Sequence, residues 1–258
     1  MINELDQFLV PELYDLFNKE CTSDITWYIE YCNKHDFNRV LELGIGTGRV
    51  AIPMAKSGIE VWGVDKSLSM LNKLESKIRH IGIRNINVVF QDICSMQIGQ
   101  TFNIALVPFC TFNFLLSSQE QKLALLRLKR HLTNNAIVIF DLLTVNTFPH
   151  GNRDDSFSFY RADEDGNKKV EMYIKNQFDQ SSQIFSQNRL FKISSSDDGI
   201  DTVNLIMRNR FFFLGEFELL LNSCGYKIAH VYGDYNQGPF NNSSCSLIVI
   251  AINLENGR

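Results

Sequence analysis

The sequence predicts an α/β fold, a largely parallel sheet covered on both faces by helices, and three observations carry that expectation. Residues 40–49, Val-Leu-Glu-Leu-Gly-Ile-Gly-Thr-Gly-Arg, run from a short apolar strand into a loop with glycine at every second position. Strand-sized apolar runs then alternate with segments of helical period, the order of a parallel sheet with crossover helices. Acidic residues stand at the ends of three successive strands, at Glu42, Asp65 and Asp92, where a doubly wound sheet opens its ligand crevice.

Taken in order, residues 1–37 form an aromatic-rich segment ahead of the first core strand. Pro11 and Glu12 open a first helix that carries Tyr14, Phe17 and Cys21 along one face. A second helix, about Asp24 to His35 with Asp24 as N-cap, places Trp27, Tyr28 and Tyr31 within one turn. After the glycine loop, Val50 to Lys56 has helical period, and its N-terminus points back at the loop. Glu60–Asp65 reads as a strand, and Ser67 or Ser69 caps the helix that follows. Asn87 to Asp92 and Phe102 to Pro108 are the next strands. A helix over 118–132 has Ser118 and Gln121 in capping-box spacing and Leu125, Leu128 and Leu132 as its buried stripe. Ala136 to Leu143 is an uninterrupted apolar run holding one acid, Asp141, as a central strand would. Residues 149–213 alternate, with Val170, Met172 and Ile174 on one face and Glu171, Tyr173 and Lys175 on the other. Turns at Asp165-Gly166 and at Ser194 to Gly199 divide them into three or four antiparallel strands. A helix over 214–224, stopped at Gly225, and strands 227–233 and 245–252 complete seven core strands with a terminal hairpin.

The glycine loop brings bare main-chain N–H groups close to a ligand. Its spacing departs from the dinucleotide pattern G-x-G-x-x-G, because the third glycine, Gly48, arrives one residue early and Arg49 follows. Glu42 inside the strand would repel a pyrophosphate and suits a cationic ligand. The run E-x-G-x-G-x-G at Glu42, Gly44, Gly46 and Gly48 resembles the first motif of the class I S-adenosylmethionine-dependent methyltransferases. The run D-x-S-x-x-M-L from Asp65 to Leu71 is similar to their second, and the strand ending at Asp92-Ile93 extends the likeness.

That resemblance implies a Rossmann-like seven-stranded core at 38–148 and 214–258, an N-terminal helical cap at 1–37 and an inserted antiparallel β subdomain at 149–213. It implies S-adenosyl-L-methionine as cofactor and S-adenosyl-L-homocysteine as product. Glu42, Gly44, Ile45, Gly46 and Gly48 would form the loop site, and Asp65 would accept the ribose hydroxyls. Lys66 and Met70 would line the adenine face, and Asp92 with Ile93 would edge its amino group. Pro108 and Phe109, after the fourth strand, would border the methionine end. The cap would roof the acceptor pocket with Phe17, Trp27 and Tyr31, and Asn113 would shape its floor. Similar insertions form a lid or a dimer face, and both readings stay open here.

Composition adds exclusions. A net charge of −4 and a sequence pI near 5.8 give no basic face for nucleic acid. The first residues, Met-Ile-Asn-Glu-Leu-Asp, carry acids where a signal peptide needs bases, and no apolar run is long enough to span a membrane. The six cysteines form no C-x-x-C pair and no zinc spacing with the five histidines, which fits reduced thiols in a cytoplasmic, metal-free enzyme.

Methyl transfer is an in-line displacement, so the protein's task is mainly positioning. An amine acceptor must also arrive deprotonated, and a dry aromatic pocket disfavours the ammonium. Tyr14, Tyr28 and Asp141 are the candidates to hold the amine and take its proton, with His150 at the pocket edge. The expected reaction is N-methylation of a small amine or a peptide N-terminus in natural-product biosynthesis, by a monomer or homodimer. The grounds include a resemblance to the enzymes that methylate the α-amine of azole-rich peptides. Two alternatives remain at this level: O-methylation of a small phenol or carboxylate, and a sensor that binds the cofactor without transferring methyl.

Overall fold

A computed structural model describes residues 5–147, 157–165, 168–195 and 199–255. Seven strands form the core sheet: β2 (Arg39–Leu43), β3 (Glu60–Asp65), β4 (Ile86–Phe90), β5 (Phe102–Val107), β6 (Leu132–Leu143), β11 (Tyr226–Tyr232) and β12 (Ser246–Asn253). Their spatial order is β11-β12-β6-β5-β2-β3-β4, with β12 antiparallel to both neighbours and the rest of the sheet parallel. The chain therefore reverses its winding at β2, and a crevice opens at the carboxyl ends of β2 and β5.

Helices cover both faces. On one, α3 (Ala51–Lys56), α4 (Leu68–Ile81) and α2 (Ser23–Lys34) pack Met54, Leu74 and Trp27 against Val40, Ile104 and Ile139. On the other, α5 (Ser118–Lys129) and α6 (Leu214–Ser223) pack Leu125, Phe217 and Leu221 against Phe140 and Val249. The caps explain the helix limits. Ser67, in an extended conformation, accepts the Met70 N–H to start α4, and Gly82 ends it at φ +73°.

Two helix starts differ from expectation. The capping box of α5 is Ser117 with Glu120, one residue before the predicted pair. The Glu120 carboxylate accepts the Ser117 N–H, whereas Gln121 is buried and donates to the Leu115 carbonyl. Asp24 does not cap α2; it lies within the first turn, and its carboxylate is held by the Arg49 guanidinium, a stronger charge-assisted partner. The fourth core strand stops at Val107, because Phe109 (φ 50°) and Cys110 (φ 61°) are consecutive left-handed residues.

The insert forms a second sheet of β7 (Ser158–Asp165), β8 (Lys168–Asp179), β9 (Ile184–Ser195) and β10 (Ile200–Arg210), all antiparallel. A short N-terminal strand, β1 (Leu5–Asp6), adds to its β10 edge in parallel. The apolar face of the insert is covered by α1 (Pro11–Asn18). Leu13 and Phe17 pack among Val170, Met172, Phe191 and Leu205, with the Phe17 and Phe191 ring centroids 5.3 Å apart. The insert therefore folds back over the crevice, and α1 fills the space between the two sheets. No described helix is long and apolar enough to cross a membrane.

Candidate active site

One cavity of about 750 Å³ runs from the glycine loop to the underside of the insert. Its floor is built by strand ends. Glu42 stands one residue before the end of β2, and the loop Gly44, Ile45 and Gly46 follows with both glycines at positive φ. Gly44 cannot be replaced without collision, because a Cβ there would lie 2.5 Å from Thr111 Cγ2. Asp65 organises this floor. Its Oδ2 accepts the Gly46 N–H at 2.8 Å and its Oδ1 accepts the Ser67 N–H at 2.8 Å, which ties the loop to the start of α4. A carboxylate has about four lone-pair sites, so further acceptor capacity remains for hydroxyls. Met70, Lys66, Asp92 and Ile93 continue the wall, with Lys66 Nζ 3.5 Å from Asp92 Oδ2. Pro108, Phe109, Cys110 and Thr111 close it on the β5 side.

Arg49, which sequence reasoning treated only as a departure from the dinucleotide pattern, is the hub of this end. It forms a two-armed pair with Asp24, donates to the Cys21 carbonyl at 2.6 Å and lies 4.0 Å from the Phe109 ring centroid. Its charge also acts on the Tyr14 phenol, whose ring meets Phe109 edge-on at 6.4 Å. Burial pushes the Tyr14 phenol up to about 12, so it stays a protonated hydroxyl at neutral pH.

Several expected site residues lie elsewhere. Gly48 is packing, because a Cβ would meet Leu74 Cδ1 at 2.4 Å. Trp27, Tyr28 and Tyr31 do not roof the cavity. They form a ring cluster with Tyr235 on the sheet face beside α3, with Trp27 centroids 5.5 Å from Tyr28, 5.3 Å from Tyr31 and 5.8 Å from Tyr235. The Asp24–Arg49 pair explains this, since it pins the start of α2 beside the glycine loop and directs the helix along the sheet. Asn113 is buried and spends both amide ends on backbone, donating to the Arg210 carbonyl and accepting the Leu143 N–H. Phe17 and Tyr14, both from α1, do line the cavity, while His150 falls outside the described residues.

Asp141 sits behind the wall. Its Oδ2 accepts the Phe109 N–H at 3.1 Å, so it supports the left-handed Phe109–Cys110 turn from below. Burial pushes its carboxyl from the ordinary 3.8 up to about 6. A group raised in this way stabilises the fold fully below its ordinary pKa and loses that contribution as pH rises through the folded value. The wild type should therefore lose on the order of 2–3 kcal/mol from this group between about pH 4 and pH 7. Thermal unfolding of Asp141→Asn should show a flatter pH dependence across that window. Parallel curves for the two proteins would remove Asp141 as the titrating group.

The insert supplies the far wall of the cavity, with Tyr160, Arg161, Met172, Ile174, Asn176, Gln187, Arg189, Met207 and Asn209. None of these polar residues was singled out from sequence. Their signal was the same alternation that placed Met172 and Ile174 inward, continued two residues at a time into Asn176. The described residues contain no cluster of three or more His, Cys, Asp or Glu side chains arranged for a metal.

Residues 40–135 match the family described as "Methyltransferase domain". The cypemycin N-terminal methyltransferase of a Streptomyces species is 26% identical over 243 residues, 93% of this chain and 94% of that protein. Among solved structures, an S-adenosylmethionine-dependent methyltransferase from Clostridium acetobutylicum superposes with a TM-score of 0.81 at 20% identity, covering 95% of this chain and 98% of that one. The amino pentose methyltransferase CalS10 from Micromonospora echinaspora gives 0.73 at 16% identity, covering 98% and 100%. Residues 40–135 thus carry a methyltransferase domain, and the fold of the chain is that of the class I S-adenosylmethionine-dependent methyltransferases.

The residues at the strand ends fit that cofactor, which carries a sulfonium and an ammonium. Glu42 is buried, and its Oε2 has no hydrogen-bond partner. Burial drives its carboxyl well above the usual range, and a buried acid of this kind is matched by a cation.

Proposed function

We propose that the chain N-methylates a small amine or a peptide N-terminal amine in natural-product biosynthesis. The observation that carries this reading is the continuity of the cavity, which joins the cofactor floor to a second chamber walled by α1 and the insert. The similarity to the cypemycin N-terminal methyltransferase over nearly the full length of both chains supports a peptide acceptor. All six thiols are unpaired, which suits the reducing cytoplasm.

The cofactor supplies an electrophilic methyl group when bound. The chain's residues supply position and a dry, cation-bearing environment. Among the described lining residues the carboxylates are Glu42, Asp65 and Asp92, all at the cofactor strand ends. The acceptor chamber holds the buried cation Arg189. Removal from water disfavours the ammonium form there, so an amine enters neutral with its lone pair free. Transfer would form the nitrogen–carbon bond as the methyl carbon–sulfur bond breaks, leaving S-adenosyl-L-homocysteine, and the methylated ammonium would lose its proton to water once it leaves the chamber, so no side-chain base is needed. Tyr14, between the two ends, holds the acceptor in line.

The test incubates the protein with S-adenosylmethionine and free α-amine peptides, their N-acetylated forms, an amino sugar and a phenol. Mass spectrometry should show methyl groups added only to free amines. Transfer to the phenol alone would support O-methylation, and S-adenosylhomocysteine binding without any transfer would support a sensor. Tyr14→Phe should lower kcat by about tenfold to a hundredfold while leaving cofactor affinity unchanged; an unchanged kcat would remove Tyr14 from the acceptor site.

A further inference from the structure

The inner face of the insert changes character along its strands. Cross-strand register sets Met172, Phe191 and Val203 in one apolar row, and Ile174, Arg189 and Leu205 in the next. Asn176, Gln187 and Met207 follow, and Asn209 lies one step further, opposite Phe185. The polar groups of the middle rows satisfy one another: Gln187 Nε2 donates to Asn176 Oδ1 at 3.0 Å, and Arg189 Nε donates to Gln187 Oε1 at 2.6 Å. Asn209 is different. It belongs to the cavity wall, it is 1% exposed, and neither Nδ2 nor Oδ1 has a hydrogen-bond partner. An unsatisfied buried amide is costly, and such groups are rare in folded proteins.

We infer that Asn209 recognises the acceptor's peptide backbone. Nδ2 donates to a backbone carbonyl and Oδ1 accepts the N–H of the residue following the methylated amine. This rests on the amine-acceptor reading above. The carboxamide presents one donor side and one acceptor side in a single plane. In an extended peptide the N–H and C=O of one residue point the same way and meet both. A carboxylate would satisfy only Nδ2. An ammonium would satisfy only Oδ1. Asn209 thus matches Glu42 at the other end of the same cavity: each is a buried polar group whose unmet bonds describe what binds there.

The test compares trialanine with its depsipeptide analogue, in which an ester oxygen replaces the first peptide N–H. The readouts are kcat/KM with S-adenosylmethionine and Kd for the enzyme loaded with S-adenosylhomocysteine. Wild type should prefer the amide by about tenfold or more in both, because the ester leaves Oδ1 unpaired. Asn209→Leu should reduce the preference to within about twofold with S-adenosylhomocysteine affinity intact. Asn209→Asp, which keeps the N–H acceptor, should retain it if the leucine variant does not fold. Equal handling of amide and ester by wild type overturns the inference, as does a preference that survives Asn209→Leu. Turnover of an amino sugar with both peptides inert overturns it while leaving the amine reading standing. If wild type neither binds nor methylates any amine, the amine reading itself falls.

Discussion

Replacing Glu42 with glutamine lowers the affinity for S-adenosylhomocysteine by about 30- to 1000-fold, corresponding to about 2–4 kcal/mol for removing one charge of a buried pair. Glu42 is 2% exposed, its Oε2 lacks any partner, and burial holds its carboxyl well above the usual range. A ligand bearing an ammonium binds the ionised form. Below the pKa of the free protein, each unit of acidification therefore lowers affinity about tenfold, because a proton must leave as the ligand enters. Calorimetry in buffers of different ionisation enthalpy reads that proton directly. The signal should vanish in Glu42→Gln. Proton release that persists in the variant would assign the effect to another group, such as Asp65, whose carboxyl burial also raises.

Gly63→Ala should cost at least the upper end of the roughly 1–3 kcal/mol typical of overpacking, and it should abolish cofactor binding. Gly63 sits within β3, paired with Glu42 of β2. A Cβ there would lie 2.0 Å from Ile45 Cδ1, 2.6 Å from Ile45 Cβ and 2.7 Å from Ile45 Cγ1. The close approach at Ile45 Cβ cannot be relieved by turning the end of a side chain, so the loop backbone between Gly44 and Gly46 must shift. Ile45→Ala added to Gly63→Ala removes the outer part of the clash and should restore part of both stability and binding. Wild-type melting and binding in Gly63→Ala would show that the contact is slack.

The sequence made the core legible because periodicity, glycine loop and strand-end acids are local signals that the sheet reads out directly. β3 spans the predicted residues, and the other core strands and helices differ mainly at their ends. The glycine-loop and β3 positions all border one crevice except Gly48, which is displaced because Leu74 packs over it. The cap was less legible. The spacing of Trp27, Tyr28 and Tyr31 shows that they share a helix, but not which face of the sheet that helix covers. The Asp24–Arg49 pair, between residues distant in sequence, makes that choice. Gly63 was invisible for a similar reason, since its neighbour Ile45 arrives from another strand's loop. Asn113 looked like a pocket residue because it follows β5, yet it bonds the backbone of β10 and the end of β6. The polar end of the insert was hidden in an alternation whose apolar half alone attracted notice.

The packing of α1 has a consequence for turnover. Its polar links on the crevice side are the ion pairs of Glu12 with Lys73 and of Asp15 with Lys77, both lysines on α4, and the Thr47 hydroxyl donating to Asp15, while Lys19 at its end pairs with Asp163 of the insert. Rim pairs of this kind are worth about 0–1 kcal/mol each, far less than the buried sheet beneath them. A movement in which α1 parts from α4 while Leu13 and Phe17 stay packed on the insert therefore breaks these polar links and requires only a fraction of the free energy of global unfolding. A wall held in this way can yield without the fold yielding, so access to the cavity and the stability of the fold are set by different contacts.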